Sequence, residues 1–269
     1  MIREHVFIRH VAVRDPIRWR GGEVSRLEAL SDAVFGFAIT LLVVSLEVPR
    51  TYAQLMDAMR GFVAFAASFA ILFLVWFHQY RFFRRYGLQD GVTVLLNAVL
   101  LFVVVFFVYP LKFVFTLVID QMMGSRGVVM VDGHPARVFT EAGQSGQMMV
   151  VFSLGYVAVF GLFALMHVRA ARLHDELGLS PAELFATRGN VVEAMLNVGI
   201  GVLSVLVARV APPRSAAALA GLTYMLVGPV LTANGFLAAR RLQRLGLEDE
   251  VPADAARARA GPVDAPPSG

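Results

Sequence analysis

The sequence predicts an all-α integral membrane protein with six transmembrane helices per subunit, and three observations carry that prediction. The 269-residue chain is 57% hydrophobic with a mean hydropathy of +0.65, too apolar for an ordinary soluble domain. Its apolar residues gather into runs that approach or reach the roughly 20 residues a helix needs to cross a ~30 Å hydrocarbon core. Of its 24 Lys and Arg residues, 17 fall in segments that six spans would leave on the side of the N-terminus. The positive-inside rule then places both termini in the cytoplasm.

Composition also excludes function classes. With no Cys there are no disulfides, thiolate nucleophiles or Cys metal ligands. A soluble chain with pI near 9.8 would suggest a nucleic-acid partner. Here the arginines flank apolar runs and serve topology instead, so no nucleic acid is expected. The chain holds no H-E-x-x-H, no G-x-S-x-G and no phosphate-cradling glycine loop. Its six His are scattered without metal-ligand spacing, so no enzyme activity, cofactor or resident metal is predicted.

Taken in order, residues 1–25 form a basic lead with Arg3, Arg9, Arg14, Arg18 and Arg20. It has no signal-peptide pattern and carries an interfacial segment around Trp19. The transmembrane domain is expected over 26–240, with spans near 30–48, 61–80, 92–115, 147–168, 190–209 and 215–238. The loop 116–146 is expected outside, either as a small hairpin built from Val128–Val131, Asp132-Gly133 and Val138-Phe139 or as a disordered loop. Ser180-Pro181-Ala182-Glu183 reads as a cap, a Pro at the first helical position and a box-like Glu, which predicts a short surface helix. The tail, 241–269, is rich in Ala, Pro, Asp and Arg and is expected to be a disordered cytoplasmic segment.

The most informative stretch is Arg26–Pro49. Arg26, Ser31 and Asp32 lead into an apolar run that ends at Glu47 and Pro49. Ser31 and Asp32 have the chemistry to cap the helix that follows, and charge at a membrane edge must be paired, capped or wet. Asp32 lost from a buried charged network would cost several kcal/mol. Phe37, Thr40, Leu41 and Val44 share one helix line, with Val43 on the opposite face.

Arg26, Leu30, Ser31 and Asp32, followed by Ile39-Thr40-Leu41-Leu42, resemble the Arg-x-x-x-Phe-Ser-Asp signature of the transmembrane protein 175 family, with Leu30 at the Phe position. That family comprises the endolysosomal potassium channel and its bacterial relatives. The resemblance extends to Trp76 and His78 at the end of helix two and to Leu95-Leu96-Asn97 with Pro110 on helix three. Gln79 stands where relatives often carry a second His.

The resemblance implies a homotetrameric, potassium-preferring channel of the cell membrane in which helix one lines a central pore. It turns Phe37, Thr40, Leu41 and Val44 to the axis, with apolar rings as the constriction and Thr40 beside the ion. It also implies an inter-helix polar network of Arg26, Ser31, Asp32, Trp76 and His78. The residues alone leave other readings open: a secondary transporter, which calls for repeats and broken midplane helices, or a non-conducting structural membrane protein. Asn97, and Glu193 with Asn197, read as interhelical hydrogen-bonding groups. Lys112 beside Pro110 is expected to snorkel to the interface. Gly199, Gly201, Gly221 and Gly228 suit close helix approach.

Overall fold

The computed structural model describes residues 19–21, 24–44, 50–122, 128–131, 134–141 and 143–245. The helices are α1 (Arg26–Val44), α2 (Tyr52–Tyr86), α3 (Gly91–Met122), α4 (Gln144–Arg172), α5 (Pro181–Val210), α6 (Ala216–Leu222) and α7 (Val227–Arg244). Among the described residues, five helical segments are long and apolar enough to cross a membrane, counting α6 and α7 with the 3₁₀ turn Thr223–Leu226 between them as one. The sixth candidate is α1, whose first seven residues carry Arg26, Glu28 and Asp32. The chain is a multi-pass membrane protein.

The helices run past the apolar stretches that marked them. Expected at 61–80, the second is a 35-residue helix, Tyr52–Tyr86. Hydropathy marks the part of a helix in hydrocarbon, whereas capping chemistry marks its ends. Thr51 accepts from Gln54 N at the start of α2, and Gly87, at φ 61°, closes it with its N–H on Phe83 O. Ser180 and Glu183 do form a capping box with Pro181 at the first turn, yet they open the 30-residue α5 rather than a short surface helix. The break before α7 falls at Thr223–Leu226. Pro229 cannot donate to Met225 O and its ring crowds that carbonyl.

In the long loop, β1 (Val128–Val131) and β2 (His134–Arg137) form an antiparallel hairpin. The expected second strand at Val138-Phe139 is thus corrected to the four residues before it, and Asp132-Gly133 lie outside the described residues. Also outside them are Glu47, Pro49 and the tail from 246 onward, while α7 itself continues to Arg244.

Helix α4 is the hub, packing against α3, α5 and α6 and touching α2. One core cluster gathers Phe35, Ala38 and Leu42 of α1 with Phe82 and Tyr86 of α2, Leu100, Val104 and Val108 of α3, and Phe163 and Met166 of α4. A second joins Phe107 and Leu111 of α3 to Met149 and Phe152 of α4 and Ala208 of α5. Among the described residues, helix α1 packs chiefly on α2 and α3. Its Ser31, Phe35, Ala38 and Leu42 are buried, whereas Ala33, Gly36, Phe37, Thr40 and Val43 are exposed.

At the arginine-rich end, Asp90 is satisfied across elements. Asp90 accepts from Thr93 Oγ1 and pairs with Arg169 Nη2 at 3.0 Å. Burial pushes its carboxyl up, but the bonds from Thr93 and Arg169 outweigh that and hold it below the usual carboxylate range.

Candidate functional site

The start of α1 is built by a capping box one turn upstream of Ser31 and Asp32. Ser25 N donates to Glu28 Oε2 at 2.8 Å, and Glu28 N donates to Ser25 Oγ at 3.1 Å. Ser31 and Asp32 therefore lie inside the helix and do not cap it, which corrects the expected role. The Ser-x-x-Glu spacing of residues 25–28 was the local signal for that start. Glu28 also faces Arg84 Nε at 3.9 Å.

Freed from capping, Ser31 joins a buried polar chain through three helices. Gln79 Nε2 of α2 donates to Asn97 Oδ1 of α3 at 3.1 Å. Asn97 Nδ2 donates to Ser31 Oγ at 3.0 Å, and Ser31 Oγ donates to Leu27 O at 2.8 Å. All three side chains are buried: Ser31 and Asn97 are 0% exposed and Gln79 is 1%. In an apolar interior such a chain holds only if each member is satisfied, so it fixes the rotation of α1 against α2 and α3.

Asp32 lies on the open side of α1 and accepts from Trp76 Nε1 at 2.7 Å. His78, expected with them, faces away. Its Nδ1 is bonded to Leu74 O, and its ring lies 5.8 Å from that of Phe163 on α4. The correction follows from helical phase: residues 76 and 78 sit about 200° apart around α2, so they cannot both meet α1. Arg26 is exposed and has no side-chain partner among the described residues. The structure thus brings Ser31 with Gln79 and Asn97, and Asp32 with Trp76. Gln79 and Asn97 were visible in the sequence only as a departure and as a polar residue in an apolar run.

Because Asp32 is exposed and makes one side-chain bond, its loss is expected to cost the monomer fold less than the several kcal/mol anticipated for a buried charge. Asn97→Ala removes two interhelical bonds and leaves Gln79 Nε2 stranded, so it is expected to destabilise by about 2 kcal/mol against about 1 for Asp32→Ala. Melting both variants in detergent by size-exclusion retention checks this; an Asp32→Ala variant melting lower than Asn97→Ala would overturn the assignment of the buried chain as the stronger tie.

The expected pore line is divided. Phe37 is 59% exposed and Thr40 is exposed, its hydroxyl donating to Gly36 O at 2.8 Å. Leu41 is half-buried against the core, and the Val44 side chain lies outside the described residues. Val43, placed on the opposite face in the sequence reading, is 47% exposed. The buried face runs through Phe35, Ala38 and Leu42, so the open stripe is centred on Ala33, Gly36, Phe37 and Thr40. Lys112 does not snorkel free: its Nζ lies 3.3 Å from Leu42 O, near the end of α1. A cation there suits the negative end of the helix dipole.

Farther away, Tyr156 donates to Asn197 Oδ1, joining α4 to α5, while Tyr224 donates to Ser153 Oγ, which in turn donates to Ser204 Oγ. Asn197 therefore serves as an interhelical bond, with its Nδ2 on Glu193 O. Of the four glycines named, only Gly201 sits at a close approach; the sequence reading passed over Gly146 and Gly155, which do as well.

Comparison with known proteins agrees with this architecture. The family described as endosomal/lysosomal potassium channel TMEM175 matches residues 26–107, the stretch holding α1, α2 and the buried polar chain. A potassium channel of Marivirga tractuosa is 34% identical over 242 residues, which span 89% of this chain and 98% of the relative. A crystal structure of a variant of the potassium channel MtTMEM175, bound to a nanobody–MBP fusion, shares 33% identity at a TM-score of 0.70, covering 83% of this chain and 97% of that one. A TMEM175 homolog from Chamaesiphon minutus, at 19% identity and a TM-score of 0.50, covers 79% of this chain and 96% of that one and shares the fold. The chain belongs to the TMEM175 family, whose members here are membrane ion channels and not enzymes.

Proposed function

We propose that the protein is a potassium-preferring cation channel of the cell membrane, a homotetramer in which the open stripe of α1 lines the pore and both termini are cytoplasmic. The observation that supports this reading is the asymmetry of α1. One face is locked to α2 and α3 by the Ser31–Asn97–Gln79 chain and the Phe35, Ala38 and Leu42 packing. The other presents Ala33, Gly36, Phe37 and Thr40 as exposed residues.

Arranged about a symmetry axis, Phe37 forms the narrowest apolar ring and gates by excluding water. Thr40 suits a cation by polarity. Its O–H is spent on Gly36 O, which turns the oxygen lone pairs to the lumen. Potassium is the permeant ion that the names of the relatives suggest, and lipid covers the outer faces of the other helices. In this reading residues 26–240 carry the transmembrane domain between cytoplasmic segments.

Potassium flux from proteoliposomes tests the reading. Wild-type protein is expected to conduct potassium better than sodium, and Phe37→Ala to raise flux about tenfold or more while reducing selectivity. Phe102→Ala, on the exposed side of α3 at 73% exposure, is expected to do neither. Single cysteines replacing Phe37 and Thr40 should cross-link subunits more readily than one replacing Phe102. Unchanged flux in Phe37→Ala together with no preferential cross-linking would remove α1 from the pore.

A further inference from the structure

A polar cavity lies away from α1, in the gap between α2 and α5 with α4 as its floor. Helices α2 and α5 each pack against neighbours but not extensively on one another. The cavity is open on one side, and it sits at the end of the bundle where α2 and α4 finish in Arg84, Arg85, Arg169 and Arg172. Tyr86 donates to Thr187 at 3.0 Å near its polar end, drawing α2 and α5 together there.

Two sets of groups with opposite hydrogen-bonding character line it. Arg81 and Arg85 stand one turn apart on a single face of α2, and Arg85 is 6% exposed. Asn190 Nδ2, on α5, is a buried donor without a partner. Both arginines have partners in the structure, and a guanidinium carries five donors to share among several acceptors.

The second set accepts. His78 and His167 each have Nδ1 on a carbonyl of their own helix, Leu74 O and Phe163 O. A carbonyl only accepts, so in the neutral ring Nδ1 carries the proton and Nε2 is left as an acceptor. Glu193 is half-buried one turn from Asn190 and makes no ion pair among the described residues. A donor set two arginines strong beside a carboxylate and imidazole acceptors does not fit a bare anion, which Glu193 would repel. It fits a group bearing both charges a few ångströms apart.

We propose that this cavity binds a phosphate ester carrying a primary ammonium, the chemistry of phosphoethanolamine. Arg81, Arg85 and Asn190 hold the phosphate, and Glu193, with the imidazole Nε2 atoms, receives the ammonium. Basic pockets between membrane helices at headgroup depth are suited to lipid phosphates. Phe160, Phe163 and Ala194 supply an apolar wall for an acyl chain if the group belongs to a lipid.

The test is thermal melting of the purified protein in detergent, which does not depend on ion flux. Phosphatidylethanolamine added to the micelles is expected to raise the melting temperature more than phosphatidylcholine, whose quaternary ammonium donates no hydrogen bond, or phosphatidylglycerol, which has no ammonium. Arg81→Gln is expected to weaken the phosphatidylethanolamine response about tenfold in concentration, one charge-assisted contact being worth roughly that factor. Glu193→Gln should keep a response to phosphate headgroups but lose the preference over phosphatidylglycerol. Both side chains are half-buried, so these variants carry the test if Arg85→Gln fails to fold. Free phosphoethanolamine reproducing the shift identifies a soluble ligand; a shift with the lipid alone identifies a headgroup. Equal shifts from all three lipids in wild type, or a phosphatidylethanolamine response unchanged in Arg81→Gln and Glu193→Gln, overturns the proposal.

Discussion

Gly155→Leu is expected to yield no monodisperse protein. A Cβ at Gly155 of α4 would lie 2.2 Å from Cδ2 and 2.5 Å from Cε2 of Phe107 on α3. The Phe107 ring is 8% exposed and packs against Phe152 with centroids 5.3 Å apart, so moving it aside disturbs a packed contact. Overpacking of this kind costs about 1–3 kcal/mol and occasionally more. Gly155→Ala is expected at the top of that range, and Leu beyond it because its branched end enters the same contact. Gly161 on the same helix is the control. No atom comes within 4 Å of a Cβ there, and Gly161→Ala should be neutral or stabilising by up to about 1 kcal/mol through helix propensity. Expression and melting by size-exclusion retention measure all three. Phe107→Ala added to Gly155→Ala should recover part of the loss. Gly155→Ala melting like wild type would show that α3 and α4 do not meet at this point.

The second large effect is expected at Arg20. Its Nη1 and Nη2 donate to Glu183 Oε1 and Oε2 at 3.0 and 2.7 Å, while Nε and Nη2 donate to Leu177 O and Gly178 O at 2.9 and 3.1 Å. Arg20 N and Gly21 N both donate to Arg84 O. The segment just before α1 is thus strapped to the end of α2 and to the α4–α5 turn. Glu183 is 3% exposed, so Arg20→Met takes from a buried carboxylate the two charge-assisted bonds that Arg20 supplies. Breaking such a pair costs about 3–5 kcal/mol. The lower end is expected, since Ser180 N still donates to Glu183 Oε2. Arg20→Met/Glu183→Gln should melt closer to wild type than Arg20→Met alone, because the buried charge is removed together with the guanidinium that paired with it. A single variant as stable as wild type would falsify the strap as a source of stability.

Neither of these contacts was legible in the sequence, although much around them was. Arg20 appeared as one of several topology arginines, and Glu183 as part of a local box; that they meet across 163 positions depends on how α4 and α5 turn back. Gly155 lies in an apolar run with nothing to distinguish it from Gly161, yet one sits on a phenyl ring and the other faces open space. The two histidines tell the same story. His78 looked like the partner of Asp32 because it sits beside Trp76, but helical phase sends it to Phe163 and the cavity instead.

Local chemistry was enough for the membrane spans, the Ser180 cap and the family signature at Arg26–Asp32. Each depends on a few consecutive residues, on the hydropathy of a run or on hydrogen bonds within one turn. The tertiary structure decided which face of each helix is covered. An apolar helix such as α3 presents hydrophobic side chains all round, so its pattern singles out no buried side. Its rotation is set instead by where Asn97 finds Ser31 and Gln79, and by which ring Phe107 can lay on a glycine. Those partners sit on other helices, at distances in sequence that no local pattern records. The open face of α1 follows from the same cause: burying Ser31, Phe35, Ala38 and Leu42 against α2 and α3 turns Gly36, Phe37 and Thr40 outward.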